Sequence, residues 1–194
     1  MKVFIANGSV SYSNLFEELG YPVVSDPDEA DFFCFTGGED VNPELYGEPC
    51  ESMTRFNRLR DESDLKYLNM LGDRPAVGIC RGGQFLNVMN GGSMIQHIDN
   101  QGYKHTLYET LWGDEYEVTS THHQMMLPGV KGKIIGINPE AYYWDDEDDG
   151  EERECIEIVL YDKALCFQPH PEYGDAKDTA RLFEKLLDYF LNTE

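Results

Sequence analysis

The segment around Cys80 constrains the fold of this chain more than any other. An apolar run over residues 75–79 leads into Gly-Ile-Cys-Arg-Gly (78–82), and a helical pattern starts at Gln84. A strand, Gly-x-Cys-x-Gly and a helix in this order are typical of a nucleophile elbow in which Cys replaces Ser. Glycines are needed on both sides of Cys80 because the turn is strained and side chains there would clash with neighbouring strands. The partial positive charge at the N-terminus of the helix favours the thiolate form of Cys80. The pattern predicts a reactive Cys80; the alternative is a buried structural cysteine in a Gly-rich turn.

The hydrophobic periodicity predicts an α/β fold. In the first half, short apolar runs alternate with helical patterns, which is typical of a parallel sheet with helices on both faces. The strand-like runs there lie at residues 2–7, 21–24, 31–36 and 75–80. After Gly92 we expect further strands in the same sheet, some antiparallel, at 115–120, 131–138, 156–162 and 164–168, and a closing helix at 179–191. The length of 194 residues and the lack of a repeat or linker predict a single domain over 1–194.

A second reactive group lies near the C-terminus, in Phe-Gln-Pro-His-Pro-Glu (167–172). A cysteine nucleophile needs a base, and an imidazole base needs a group that orients it. In extended backbone, residues i and i+2 face the same way, so Glu172 can hold the ring of His170. Without Cys80, a surface histidine in a Pro-rich turn would be the better interpretation. With Cys80, the spacing predicts a Cys80–His170–Glu172 triad.

A pair of glycines follows the strand-like run at 31–36. Attack on an amide or thioester passes through a tetrahedral oxyanion that needs backbone N–H donors. Gly37 and Gly38 can present such donors without obstruction by side chains, although Gly-Gly after a strand is often only a turn. Beside a nucleophile elbow they predict an oxyanion hole, with the N–H of Arg81 as the other donor.

The charge balance excludes several classes of partner. Lys plus Arg number 15 against 37 Asp plus Glu, a net charge of −22, which argues against nucleic acid or an anionic membrane as partner. The sequence has no long apolar stretch and no signal peptide, which predicts a cytoplasmic protein. Its five cysteines are widely spaced and form no CxxC motif, so we expect neither a disulfide framework nor a metal site. The acidic run 145–154 predicts a solvated loop between two strands.

Four stretches together resemble the class I glutamine amidotransferases, and within them the γ-glutamyl-γ-aminobutyrate hydrolase branch of γ-glutamyl cysteine peptidases. They are TGGEDVNPELYGE (36–48), RDESD leading to PAVGICRGGQFLNVMNGGSMIQHI (60–64 and 75–98), THHQ (121–124) and FQPHPE (167–172). Their order and combination are far more specific than any one motif. The sequence departs from that branch at Gly83, where Met or His is common, and at Pro169, where an aromatic residue usually precedes the histidine.

The resemblance implies a three-layer α/β sandwich with a central, mostly parallel sheet, the flavodoxin-like class I glutamine amidotransferase fold. It also implies the triad Cys80, His170 and Glu172 and an oxyanion hole at Gly38 and Arg81. For the substrate it implies contact of Gln84 with a glutamyl head group and a substrate-side loop around His123. The substrate-binding residues expected on this basis are Gly37, Gln84, His123 and Gln124.

Three functions fit these residues. The first is a cofactor-independent cysteine amidohydrolase that cleaves a γ-glutamyl amide, glutamine or a γ-glutamyl-amine, through a γ-glutamyl thioester. The second is the glutaminase subunit of an amidotransferase, which passes ammonia to a synthase or ligase on another chain; its acidic surface would help docking to a basic partner. The third is a catalytically inactive binding module, against which the intact Cys/His/Glu set argues.

Overall fold

The structure, a computed structural model, describes residues 1–98, 103–144, 152–173 and 177–192. Its α-helices are α1 (Val10–Glu18), α2 (Arg58–Leu71), α3 (Arg81–Met89) and α4 (Lys177–Asn192). Its strands are β1 (Val3–Ala6), β2 (Val23–Val24), β3 (Phe32–Phe35), β4 (Ala76–Ile79), β5 (Ser93–Ile95), β6 (Lys104–Glu109), β7 (Asp114–Thr119), β8 (Met125–Leu127), β9 (Lys133–Trp144), β10 (Glu152–Leu160) and β11 (Ala164–Phe167). Short 3₁₀ turns lie at Pro27–Glu29 and Pro43–Tyr46.

The central sheet has a parallel half and an antiparallel half. In the described part of the chain, the strand order is β2-β1-β3-β4-β11-β10-β9-β6-β7. The first five strands pair in parallel, in the order 2-1-3-4-5 of a flavodoxin-like sheet. The remaining four add antiparallel ladders. The catalytic candidates follow β3, β4 and β11, three adjacent parallel strands, so they lie along one edge of the sheet.

Helices cover both faces of the parallel half and make the three expected layers. One hydrophobic cluster packs α2 and α3 against side chains such as Phe33 and Phe35. The other packs α1 and α4 against the opposite face, where Phe32 and Cys34 point. All four residues of β3 are buried because this strand is covered on both sides.

Local sequence explains where α2 begins and ends. The side chain of Asn57 accepts hydrogen bonds from the N–H groups of Leu59 and Arg60, at 3.1 and 3.4 Å, and so caps the helix. Gly72 follows the last turn at φ +61°, a conformation that glycine adopts without a Cβ penalty. None of the helices in the described ranges has the length and hydrophobicity that a membrane crossing requires.

Several details of the second half differ from the sequence-based expectation. Strands β5, β6 and β8 were not predicted, because β5 and β8 have only three residues each and β6 (Lys-His-Thr-Leu-Tyr-Glu) has few apolar residues. Strands β5 and β8 pair with each other in a separate two-stranded sheet instead of extending the central one. The acidic run is not all loop: residues 152–154 belong to β10 and pair with β9, while 145–151 lie outside the described residues. Cross-strand pairing with β9 makes this charged stretch a strand despite its low β-propensity. The antiparallel addition to the sheet was predicted and is confirmed.

We expect the layer formed by α4 to contribute strongly to stability. Leu182 is completely buried on α4, whereas Leu59 on α2 is 75% exposed. Leu182→Ala should lower the free energy of unfolding by about 2–5 kcal/mol, because it leaves a cavity against the sheet. Leu59→Ala, the same substitution in a helix, should change it by less than about 0.5 kcal/mol. Urea denaturation measures both; equal losses would contradict this packing.

Candidate active site

Cys80 occupies a strained turn between β4 and α3. It is the residue before the first turn of α3 and has φ +52° and ψ −116°, unusual for a residue with a Cβ. Its N–H donates to the carbonyl of Phe167 at the end of β11, at 2.8 Å. The strain and this bond hold the side chain of Cys80 at the sheet edge, as the elbow pattern predicts.

The two flanking glycines are required by close backbone contacts. A Cβ at Gly82 would lie 2.1 Å from the carbonyl oxygen of Phe35, and one at Gly78 would lie 2.3 Å from the Gly82 carbonyl. Backbone atoms cannot move aside as flexible side chains can. Glycine at both positions therefore lets α3 pack directly on β3 and β4, which brings the segment after β3 next to Cys80.

His170 is held between the carboxylate of Glu172 and the hydroxyl of Thr121. Its Nδ1 lies 2.7 Å from Glu172 Oε1, so the contact expected from the i, i+2 spacing is present. Its Nε2 lies 2.9 Å from Thr121 Oγ1. The ring of Tyr173 stacks on the imidazole with a centroid distance of 4.5 Å and an interplanar angle of 1°. These contacts fix the plane of the His170 ring.

The surroundings of His170 favour its protonated form. Burial by itself would lower its pKa, but hydrogen bonds to Cys80 and Glu172, and the negative charge of both groups, raise the pKa of His170 to about 10. A Cβ placed on Gly37 would touch both side chains, 3.2 Å from His170 Cε1 and 3.7 Å from Cys80 Cβ. The two side chains therefore share one small space, where a thiolate–imidazolium pair can form.

A group of paired charges lies beneath the glycine pair. Arg81 is 1% exposed, and its guanidinium binds the carboxylates of Asp61 and Asp64. Arg60 also binds Asp64, at 3.0 Å, and donates to the carbonyls of residues 36 and 37 at 2.8 and 3.1 Å. Gly38 has φ +153°, which favours glycine. The two arginines and two aspartates thus support the backbone that carries the expected oxyanion donors.

A pocket of about 430 Å³ opens in front of Cys80. Of the predicted residues, Cys80, His170, Gly38, Gln84 and His123 line this pocket. Its remaining lining consists of Glu39, Asp40, Arg55, Thr121, His122 and Tyr173.

Four predicted site residues lie outside the pocket lining. Glu172 is one of them, and it contacts the site through His170. Gln124 is completely buried, and its amide donates to Thr54 Oγ1 at 3.3 Å. Gly37 lies behind His170, where its N–H donates to the Tyr12 hydroxyl at 3.0 Å. Arg81 directs its side chain away from the pocket, and its backbone begins α3, where N–H groups have no partner within the helix.

Sequence reasoning missed several residues that support this site. Thr121 contacts the catalytic candidate His170. Asp61 and Asp64 hold Arg81, and Arg60 shares Asp64 with it. The spacing of Arg60 and Asp64, one helical turn apart in RDESD, was the available signal for the charge group. Within the described ranges, no group of three His, Cys, Asp or Glu side chains is arranged to hold a metal ion.

A comparison with protein families identifies the family of this chain. The model of the family described as Peptidase C26 matches residues 27–136, more than half of the chain. The chain belongs to the peptidase C26 family. This family is class I glutamine amidotransferase-like, so the broader part of the resemblance in the sequence is confirmed.

Curated relatives agree with this assignment. The glutamine amidotransferase-like protein YvdE of Lactococcus lactis is 32% identical over 68% of this chain, and the match covers 59% of its own length. Protein NtpR of Enterococcus hirae is 32% identical over 84% of this chain and 75% of its own length. The chain thus spans less than two thirds of the length of YvdE.

Solved structures share the fold at low sequence identity. A GMP synthase subunit protein from Thermoplasma acidophilum superposes with a TM-score of 0.69, at 16% identity over 98% of this chain and 94% of that one. A glutamine amidotransferase from Thermotoga maritima gives a TM-score of 0.63, at 15% identity over 98% of this chain and 84% of that one. These likenesses confirm the predicted class I glutamine amidotransferase fold.

We expect the buried charge group to be essential for stability. Asp64→Asn removes one of two carboxylates that neutralise Arg60 and Arg81, and leaving a buried charge unpaired should cost about 3–5 kcal/mol of unfolding free energy. The matched control is Asp73→Asn, whose carboxylate pairs with Lys163 on the surface at 3.1 Å. Thermal and urea unfolding should show a large loss for the first variant and none for the second. Comparable losses would mean that the four charges do not act as a compensated group.

Proposed function

We propose that this protein is a cysteine amidohydrolase that cleaves a γ-glutamyl amide, with Cys80 as nucleophile, His170 as acid and base, and Glu172 as the group that orients His170. The observation that carries the proposal is the 2.7 Å contact between Glu172 and His170 beside a cysteine on a strained strand-to-helix turn. Membership of the peptidase C26 family supports amide hydrolysis by a cysteine.

The chemistry proceeds in two halves. The Cys80 thiolate attacks the γ-carbonyl carbon, and the oxyanion accepts hydrogen bonds from the N–H groups of Gly38 and Arg81. The C–N bond then breaks as His170 gives its proton to the leaving amine, which leaves a γ-glutamyl thioester. Neutral His170 next takes a proton from water, whose oxygen attacks the thioester. Glutamate leaves, and the thiolate–imidazolium pair is restored.

The γ-glutamyl specificity rests on the sequence motifs and on the pocket. Gln84, which in the resembled family touches the glutamyl head group, lines the pocket beside Cys80. His123 lies at its mouth, where its Nε2 pairs with Asp40 at 3.2 Å. A head group with one ammonium and one carboxylate requires partners of both signs, and Arg55 and Glu39 of the lining supply them.

A panel of γ-glutamyl amides, glutamine included, tests this proposal through the release of amine or ammonia. Cys80→Ala should lower kcat/KM by several orders of magnitude. Glu172→Gln should lower kcat less than His170→Ala does, because an amide still orients the ring but stabilises the imidazolium less well. Each variant should unfold at close to the wild-type temperature. Wild-type rates in Cys80→Ala would overturn the mechanism.

A covalent label provides a second measurement on the same residue. A glutamine-like electrophile should add one mass increment, and peptide mapping should find it on Cys80. The internal controls are Cys34 and Cys166, which are completely buried on β3 and β11; burial raises the pKa of both thiols. Labelling of either control at the rate of Cys80 would contradict the assignment of a single nucleophile.

The second candidate function is the glutaminase subunit of an amidotransferase. It is favoured by the structural likeness to a protein described as part of a GMP synthase. The net charge of −22 would steer a basic synthase toward this chain. If this is the function, the isolated chain should hydrolyse glutamine slowly and a synthase partner should accelerate it. Fast hydrolysis of a γ-glutamyl-amine by the chain alone would favour the first candidate.

A further inference from the structure

A carboxylate is buried inside the sheet without a role in the proposed triad. Glu157 lies on β10 and is completely buried, in an otherwise apolar strand segment. Its Oε1 lies 3.3 Å from His122 Nε2 and 3.4 Å from His105 Nε2. Burial favours the neutral acid, but the charge of His122 and the close approach of both histidine rings outweigh it and lower the pKa of Glu157 to about 2. A buried carboxylate in this state needs a cation beside it.

The contacts of His122 identify that cation. Its Nδ1 lies 2.8 Å from the carbonyl oxygen of Gln124, so this nitrogen carries a proton. Its Nε2 faces the carboxylate of Glu157, where a lone pair would be repelled and a second proton is attracted. With an acceptor opposite each nitrogen, the surroundings favour the imidazolium form of the ring. Burial opposes this charge, yet the charge of Glu157 and these bonds raise the pKa of His122.

His122 shares the pocket of the proposed nucleophile. His122 lines the same pocket as Cys80 and His170, and the charge of Cys80 also contributes to the raised pKa of His122. Because electrostatic attraction is mutual, a positive charge on His122 favours the thiolate of Cys80. Its side chain is only 2% exposed, so solvent and salt screen the attraction weakly.

We propose that Glu157 and His122 are positioning residues that act through Cys80: Glu157 keeps His122 charged, and this second imidazolium stabilises the Cys80 thiolate together with His170. The inference rests on the proposed role of Cys80 as nucleophile. It gives the cysteine two His–Glu pairs, one that transfers protons and one that holds a fixed charge.

Other titratable groups surround Cys80 and His122. His170, Glu172, Tyr173, His105 and Glu157 interact with Cys80, His122 or their partners. The pocket lining adds the titratable side chains of Glu39, Asp40, Arg55 and His123. His105 shares Glu157 with His122 but does not line the pocket. Of the two histidines on Glu157, only His122 lines the pocket with Cys80.

Alkylation of Cys80 by iodoacetamide as a function of pH tests the inference without any substrate. Glu157→Gln keeps the shape of the side chain but removes its charge, so His122 should lose its second proton. The midpoint of the Cys80 alkylation profile should then rise by about one pH unit, with an about tenfold slower reaction well below the midpoint. Peptide mass spectrometry separates the sites, and the exposed Cys50 serves as an internal reference whose profile should not move.

Two further variants locate the charge. The double variant Glu157→Gln/His122→Gln should match Glu157→Gln alone, because Glu157 acts through His122. His105→Gln, which changes the other histidine on the same carboxylate, should keep the wild-type profile. A shift in His105→Gln, or an unchanged midpoint in Glu157→Gln, would overturn the proposal. Thermal unfolding of each variant separates these effects from a loss of fold, since a purely structural role would lower the melting temperature and leave the midpoint in place.

The kinetic profile keeps this inference separate from the proposed function. In Glu157→Gln, the acid limb of kcat/KM should move to higher pH in step with the alkylation midpoint, while KM changes little. If no γ-glutamyl amide is hydrolysed but the alkylation midpoint still shifts, the proposed substrate is wrong and the electrostatic role stands. If hydrolysis is found and neither profile shifts, the role of Glu157 and His122 fails alone.

Discussion

The direct packing of α3 on the ends of three strands determines where the reactive groups of this protein lie. Gly82 meets the carbonyl of Phe35 at the end of β3, Gly78 on β4 meets the backbone of Gly82, and Gly83 approaches Phe167 at the end of β11. Backbone contacts of this kind leave no room for a Cβ. As a result, the segments that continue from β3, β4 and β11 start side by side, and each contributes one part of the proposed site: the oxyanion donors, the nucleophile and the base.

Charges buried around this junction are compensated locally. Arg60 and Arg81 are neutralised by Asp61 and Asp64, and their hydrogen bonds reach the backbone after β3. On the other side, two His–Glu pairs approach Cys80, one from the segment after β11 and one through β10. Buried ions are costly unless paired, so each cluster is also a constraint that holds one conformation.

The antiparallel half of the sheet connects fold to function. Strand β10 pairs with β11 and places Glu157 behind the segment that ends at His170. Thr119 at the end of β7 accepts the N–H of His170 at 3.3 Å, and Thr121 reaches its ring. These strands therefore hold the histidine from the side opposite the elbow. The parallel half thus carries both Cys80 and His170, and the antiparallel half adds the contacts that hold the His170 ring.

The sequence by itself determined the α/β class, the elbow at Cys80, and the pairing of His170 with Glu172, because each follows from local spacing: Gly-x-Cys-x-Gly between strand and helix, and an i, i+2 pair in Pro-stiffened extended backbone. Only the tertiary structure decided which distant residues meet these motifs. Glu157 is a lone acid in an apolar strand until β6 and the loop after β7 bring His105 and His122 to it. Gln124, expected at the substrate, packs beneath the pocket instead. Such contacts join residues that are far apart in the chain. They depend on strand order and burial, which no local sequence pattern encodes.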